Sequence, residues 1–182
     1  MRYSIINCCI GLLALIGKNA ANKKMIFGQG AYKVQAVIEF VRKESGIYDF
    51  EIDSEAKVEN INSNFVLVFN SKFGGGHINL SPFSIMNDGL GELTFYDRPQ
   101  DFSGCMKLFD ESKDGGKHVY SEHGRIHRFK TLKISNKLQR SMDINIDGEE
   151  LIFEKFVKFE MVPGSLGLLV DFEKMVRVAE KH

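Results

Sequence analysis

Short apolar stretches separated by polar turns recur along the chain and predict β-strands. Residues 48–53 alternate apolar and polar side chains, as in a strand with one buried face. Residues 65–69 form an unbroken apolar run, as in a strand that is buried on both faces. We predict that these two strands pair antiparallel through a turn at 60–64, a segment rich in Asn. Further strands are predicted at 92–96, 127–134, 142–146, 156–161 and 166–170.

Helical spacing of apolar residues is confined to a few segments. In residues 31–43 the apolar positions follow the period of a helix, and Gly46 ends that helix. A short helix is expected at 102–109, followed by a polar surface loop at 110–116, and a closing helix is expected at 172–180. The fold class is therefore mainly β: an antiparallel β-sandwich of about nine or ten short strands, with one early α-helix and a further helix at the C-terminus.

The apolar N-terminal run allows two interpretations. Residues 3–16 can form two buried strands that are broken at Gly11. Residues 1–21 also resemble a signal peptide, with Arg2 ahead of an apolar centre and small residues after it. The run is too short to span a bilayer comfortably.

The composition is that of an ordinary globular protein. The 182 residues are 43% hydrophobic and 26% charged, with a formal net charge of zero, and residues 1–182 are expected to form a single domain. The zero net charge gives no general attraction to nucleic acid, so no nucleic-acid partner is expected. Three Cys without a C-x-x-C pair do not form a disulfide framework and favour a reducing, cytoplasmic location. Fifteen Phe and no Trp are typical of an apolar core, and they also suit the binding of an acyl chain.

Two Asp-Gly turns are the main candidates for chemistry. Asp147-Gly148-Glu149 follows the strand at 142–146, and Asp-Gly is a common hairpin turn. The same two carboxylates could instead accept the proton of a reacting hydroxyl or bind a cation. Asp88-Gly89 is likewise either a plain turn or part of an oxygen-rich turn that holds a hard cation through Asp88 and nearby backbone carbonyls.

The common nucleotide and metal motifs do not occur in the sequence. There is no Walker A loop, no dinucleotide-binding glycine motif and no His-Glu-x-x-His. The glycines Gly74, Gly75 and Gly76 lie between two strands, so no helix N-terminus is available there to bind a phosphate. The five histidines have no Cys or acidic residue at zinc-ligand spacing beside them, so we expect no zinc site.

The order of the motifs resembles that of a known family. From about residue 3 to residue 170, the chain resembles the C-terminal, β-rich lobe of the lipid kinases related to diacylglycerol kinases and sphingosine kinases. The motifs that carry this resemblance are Asn7-x-x-x-Gly11, Gly28-x-Gly30-Ala31-Tyr32, Asn70 with Gly74-Gly75-Gly76, Ser81-Pro82, Asp88-Gly89, Gly116-Lys117-His118, Asp147-Gly148-Glu149 and Val162-Pro163-Gly164.

The resemblance implies a two-lobed enzyme that transfers a phosphoryl group from ATP-Mg²⁺ to a lipid hydroxyl. It implies an N-terminal lobe that binds ATP through a Gly-Gly-Asp-Gly loop, and a C-terminal sandwich that shelters the lipid. On this chain it implies that Asp147 and Glu149 are the catalytic carboxylates. The remaining residues that it implies are Asp88 and the Leu90 carbonyl as metal ligands, and Gly74, Gly75, Gly76 and Leu15 beside the lipid substrate.

Departures from the family pattern narrow these expectations. No Gly-Gly-Asp-Gly occurs in the sequence, so we expect the isolated chain to be inactive and not to bind ATP tightly. Leu15 takes the place of an acidic residue that meets the sphingosine amine, which favours a neutral glycerolipid over a sphingoid base.

The expected partners follow from the same departures. We expect a nucleotide-binding lobe in trans or a homodimer, formed through an uncovered apolar face at 5–16 or after Val170, and a peripheral position at membranes. The alternative is a non-enzymatic β-sandwich module that binds lipid or protein.

Overall fold

The computed structural model describes residues 3–15, 45–74, 78–138 and 141–167, which form antiparallel sheets. A six-stranded and a four-stranded sheet make up a β-sandwich, so the predicted fold class is confirmed. The strands in chain order are β1 (Asn7–Gly11), β2 (Gly46–Ile52), β3 (Ala56–Ser63), β4 (Phe65–Phe69), β5 (Phe73–Gly74), β6 (Ile78–Asn79), β7 (Gly91–Tyr96), β8 (Gly124–Phe129), β9 (Thr131–Asn136), β10 (Met142–Ile146), β11 (Glu149–Phe153) and β12 (Phe156–Glu160).

The chain passes back and forth between the two large sheets. The six-stranded sheet has the order β11-β10-β1-β4-β7-β8, and the four-stranded sheet has the order β12-β9-β2-β3. The small β5-β6 hairpin lies between β4 and β7 in the chain. Since β1 pairs with both β4 and β10, the N-terminal strand lies in the middle of its sheet.

The main core lies between the two large sheets. Alternate residues of each strand point into it, as Tyr48 and Phe50 do from β2 and Leu93 and Phe95 do from β7. The rings of Phe50 and Phe95 stack across the two sheets with centroids 4.6 Å apart. The alternation in β2 therefore reflects one face that packs on the core and one that does not.

A helix covers part of the outer face of β4. Helix α1 (Phe102–Lys113) begins at Asp101, whose side chain accepts a hydrogen bond from the Gly104 N–H at 2.7 Å. It packs on the outer face of the six-stranded sheet at Phe65 and Tyr96, at one end of β4 and β7. A second, smaller core forms there from Leu12, Phe65, Tyr96, Cys105 and Leu108.

Several predicted elements are confirmed, and some extend beyond their predicted bounds. The strands predicted at 65–69 and 142–146 match β4 and β10, and those at 48–53, 92–96 and 156–161 match β2, β7 and β12 to within two residues. The helix predicted at 102–109 is α1, which runs on to Lys113. The predicted loop at 110–116 is therefore wrong over its first half.

The predicted pairing of residues 48–53 with 65–69 is wrong. Strand β2 pairs with β3 and β9, whereas β4 pairs with β1 and β7 in the other sheet. The segment at 60–64, predicted as a turn, belongs mostly to β3. Because β3 is an edge strand with mainly polar, exposed residues, it lacks the apolar pattern by which strands are recognised.

Two further predictions about strands are wrong. The segment 127–134 is not one strand, because the chain leaves the six-stranded sheet after Phe129 and enters the four-stranded sheet at Thr131. Of the two strands predicted within 3–16, only β1 forms, and residues 12–15 are helical. An uninterrupted apolar run has no periodicity that separates a strand from a buried helix.

Some predictions fall on residues outside the described ranges. They are the helix at 31–43, the closing helix at 172–180 and most of the strand at 166–170, of which residues 166 and 167 are not in a strand. Within the described ranges, no helix is both long and apolar enough to cross a membrane.

Candidate functional site

The candidate carboxylates Asp147 and Asp88 lie at one end of the six-stranded sheet, beside a row of cross-strand partners. The cross-strand register aligns Asn7 with Phe69, Phe69 with Glu92, and Glu92 with Arg128. Asp147 joins this row because its N–H donates to the Asn7 carbonyl at 3.0 Å. Four strand spacings, about 19 Å in total, separate Asp147 from Arg128. The row therefore carries two separate clusters, one at each side of the sheet.

The first cluster fastens the segment that leads into β1, and we call it the N-terminal clamp. The Asp147 carboxylate accepts hydrogen bonds from the N–H groups of Ile5, Ile6 and Asn7, at 2.7, 3.0 and 2.8 Å. Asn70 holds the same segment, since its side chain donates to the Ile5 carbonyl at 3.0 Å. The clamp is therefore Asp147 and Asn70 around residues 5–7.

The turn that carries Asp147 is a tight β-hairpin between β10 and β11. Asp147 has a φ of 49° and Gly148 a φ of 92°, which are the left-handed values that a two-residue hairpin turn requires. The plain hairpin interpretation of Asp-Gly is thus confirmed. Glu149 follows at the start of β11, opposite Ile146, and its side chain is exposed.

The roles available to the two carboxylates differ. Asp147 directs both oxygens at backbone N–H groups, so its carboxylate mainly positions the chain. Glu149 is two residues along the chain at the exposed end of the hairpin.

The second cluster lies under the loop between β6 and β7, and we call it the loop network. Glu92 is only 2% exposed, and its Oε2 accepts hydrogen bonds from the hydroxyls of Ser81 and Ser84 at 2.7 and 3.2 Å. Arg128 pairs with Asp88 through Nη2, and its Nε lies 3.6 Å from Glu92 Oε1. The loop network is these five side chains: Ser81, Ser84, Asp88, Glu92 and Arg128.

Several motifs of the resemblance meet around this loop. A Cβ added at Gly89 would come within 3.0 Å of Pro163, and one added at Gly116 would come within 3.0 Å of Pro82. His118 is buried, and its Nε2 lies 3.2 Å from the Leu80 carbonyl oxygen. Motifs that are distant in sequence are thus packed against one loop.

The remaining predicted site residues lie apart from both clusters. Gly74 is buried in β5 against Phe69 and Leu80, where an added Cβ would be 3.1 Å from each side chain. Gly75 and Gly76 lie outside the described residues. Leu15 is half-buried at the end of the described helical segment. No contact shown by the structure joins Gly74 or Leu15 to either carboxylate cluster.

The loop presents apolar side chains to solvent. Phe83 is 44% exposed and packs edge-on against Tyr120, with ring centroids 6.1 Å apart. Ile85 and Met86 beside it are also exposed. At the predicted uncovered face, Ile5 and Ile6 are exposed, but Ile10, Leu12 and Ala14 are buried.

The metal-binding chemistry of the described residues is limited. Within them, no group of three or more His, Cys, Asp or Glu side chains is placed to hold a metal ion. His123 Nδ1 lies 3.1 Å from Asp97, and the His127 ring stacks on Phe95.

Glu92 and Arg128 were not predicted from sequence, although a single carboxylate inside the apolar strand β7 was a signal that could have been noticed.

Three solved structures from Bacillus anthracis str. Sterne are similar to this chain in fold. A diacylglycerol kinase matches with a TM-score of 0.51 and 13% identity, covering 87% of this chain and 47% of that chain. Two proteins provisionally assigned as diacylglycerol kinases match with TM-scores of 0.59 and 0.53 and identities of 16% and 19%. These two matches cover 86% of this chain and 50% and 48% of the other chains, so this chain spans about half the length of the structures it matches.

A family model covers most of the chain, although no curated protein gives a significant match. Residues 7–170 match the family described as the YegS C-terminal NAD kinase beta sandwich-like domain. Together with the shared fold, this match confirms the resemblance to the C-terminal lobe of diacylglycerol kinase-like lipid kinases. The chain belongs to the family of YegS C-terminal β-sandwich domains.

Proposed function

We propose that this chain is the lipid-binding half of an ATP-dependent lipid kinase of the diacylglycerol kinase type. The observation that carries the proposal is the hairpin at Asp147–Glu149. This hairpin places an exposed carboxylate at one end of a sheet whose family match runs from residue 7 to residue 170. The chain spans about half the length of the solved structures it matches, and the proposal includes a nucleotide-binding half besides it.

In this proposal the two carboxylates, Asp147 and Glu149, have different roles. Glu149 accepts the proton of the lipid hydroxyl as it attacks the transferred phosphoryl group. Asp147 holds residues 5–7 and thereby fixes the hairpin that carries Glu149. ATP with Mg²⁺, held by the other half, supplies the phosphoryl group and neutralises its charge.

The substrate proposed is a neutral glycerolipid at a membrane surface. Leu15 offers no negative charge to pair with the amine of a sphingoid base. The exposed side chains of Phe83, Ile85 and Met86 give the loop an apolar tip, which suits contact with a cytoplasmic membrane surface. A second copy of the chain is a further partner that the exposed Ile5 and Ile6 would fit.

The experiment combines this chain with a nucleotide-binding lobe of a diacylglycerol kinase and measures ATP-dependent phosphorylation of diacylglycerol in mixed micelles. We expect no activity from the chain alone and measurable activity from the pair. Glu149→Gln should lower the rate about 10²–10⁴-fold, the usual contribution of a general base. Glu150→Gln, the next residue of the same strand, is the matched control and should retain activity.

Two results would count against the proposal. Phosphorylation by the isolated chain would show that it needs no second half. Unchanged activity of Glu149→Gln would remove Glu149 from the chemistry. If no nucleotide-binding lobe restores activity while the chain still sediments with liposomes, the non-enzymatic lipid-binding module becomes the better description.

A further inference from the structure

The loop between β6 and β7 is fastened to the sheet by a carboxylate with little access to water. Glu92 is the second residue of the largely apolar strand β7, and its Oε2 accepts hydrogen bonds from the hydroxyls of Ser81 and Ser84. Its Oε1 is buried and has no hydrogen-bond partner. A buried carboxylate in this state needs a positive charge close by, because water cannot solvate it.

The positive charge near Glu92 comes from Arg128. Arg128 is the direct cross-strand partner of Glu92, on the outer face of the sheet. Its Nε lies 3.6 Å from Glu92 Oε1, while its Nη2 pairs with Asp88 Oδ2. One guanidinium group thus serves two carboxylates, one on the strand and one on the loop.

The family resemblance implies a divalent cation at Asp88, and the donor set does not fit one. Asp88 Oδ1 accepts the Leu90 N–H at 2.9 Å, and Oδ2 is taken by Arg128. Mg²⁺ requires several oxygen ligands in octahedral geometry, and a guanidinium group already occupies the space beside these oxygens. A second cation there would meet like-charge repulsion.

We propose that the Arg128 guanidinium takes the place of a divalent cation and fixes the loop at 80–90 without metal. The loop presents Phe83, Ile85 and Met86, so Arg128 is a positioning residue for this apolar tip. The inference concerns stability and metal dependence. It therefore holds or fails separately from the proposed kinase activity.

The test measures thermal unfolding of the whole chain in EDTA and in MgCl₂ at matched ionic strength. The wild-type melting temperature should not change with Mg²⁺. Arg128→Met leaves two carboxylates without their counter-ion, so its melting temperature should fall by about 5–10 °C and recover in part with Mg²⁺. Arg128→Lys keeps the charge and should recover part of the loss without metal.

The matched control is Arg125→Met on the same strand. Arg125 pairs with Asp97, whose side chain is more accessible than that of Glu92, so we expect a smaller loss and no response to Mg²⁺. Saturable stabilisation of the wild-type chain by Mg²⁺ would overturn the proposal. So would an Arg128→Met loss no larger than that of Arg125→Met, or a loss that Mg²⁺ does not reduce.

A second measurement starts from the wild-type chain. Electron paramagnetic resonance of Mn²⁺ with the wild-type chain should show only the free aqueous ion. If the wild-type chain binds Mn²⁺ and Asp88→Asn does not, a metal lies at this turn, and the proposal that Arg128 takes its place is wrong.

Discussion

Replacing Asp147 by asparagine tests whether this carboxylate mainly fastens the first strand. Asparagine has the same shape but keeps only one acceptor oxygen. It can still accept the N–H groups of Ile6 and Asn7, which both point at Oδ1. Its amide group then faces the N–H of Ile5, where two donors oppose each other.

The expected cost follows from the number of hydrogen bonds and their exposure. A hydrogen bond to a charged group contributes about 1.5–3 kcal/mol when it is well shielded and less when water can replace it. Asp147 is exposed, so one lost and two weakened bonds give a total of about 1–2 kcal/mol. For a chain of this size that free energy corresponds to a fall in melting temperature of about 2–8 °C.

Thermal unfolding and amide hydrogen exchange together decide the question. We expect Asp147→Asn to melt earlier and to exchange faster at the amides of residues 5–7. Glu154→Gln, which removes an exposed charge just after β11, should change neither. Asp147→Asn could instead keep its stability and amide exchange but lose activity in the two-lobed assay. That result would refute a positioning role and show that the Asp147 carboxylate takes part in the reaction.

Three further predictions concern buried groups. Burial lowers the pKa of His118 below its usual 6.5, so the stability linked to its neutral form is present above about pH 6.5 and is lost as the pH falls through the folded-state value. The melting temperature should therefore fall from pH 7 to pH 5, and His118→Gln should flatten this dependence. An unchanged pH dependence in His118→Gln would contradict the prediction. Burial raises the pKa of the Cys8 thiol well above its usual range, so its alkylation at pH 8, followed by mass spectrometry, should be slow until urea unfolds the chain, and fast native labelling would contradict this. A methyl group at Gly46 would overlap the fully buried ring of Tyr48, so Gly46→Ala should cost about 1–3 kcal/mol in urea unfolding, while Gly167→Ala, with open space around it, should cost little; equal effects would count against it.

The sequence predicted best the strands whose environment matches their composition. The unbroken apolar run of β4 and the alternation in β2 follow directly from burial on two faces and on one face. Strand β3 was missed because an exposed edge strand needs few apolar residues. The partner of β2 was also wrong, since local pattern does not say which sheet a strand will join.

The sequence predicted the turns of the candidate site but not the long-range contacts that its side chains make. The Asp-Gly sequence identified the hairpin at residue 147, because only a few residue types accept a positive φ. Its partners at residues 5–7 lie at the other end of the chain, where no local signal connects them. Arg128 likewise meets Asp88 and Glu92 only through the pairing of β7 with β8.

The position of β1 in the sheet has a consequence for how the chain reaches its native state. Cys8 pairs with Ile146, so β1 has both of its neighbouring strands only after residue 146 has been synthesised. Until then β1, paired only with β4, presents an open edge with unsatisfied backbone groups. Such distant pairing slows folding and exposes the nascent chain to aggregation. Chaperone binding during synthesis would therefore be needed longest at β1.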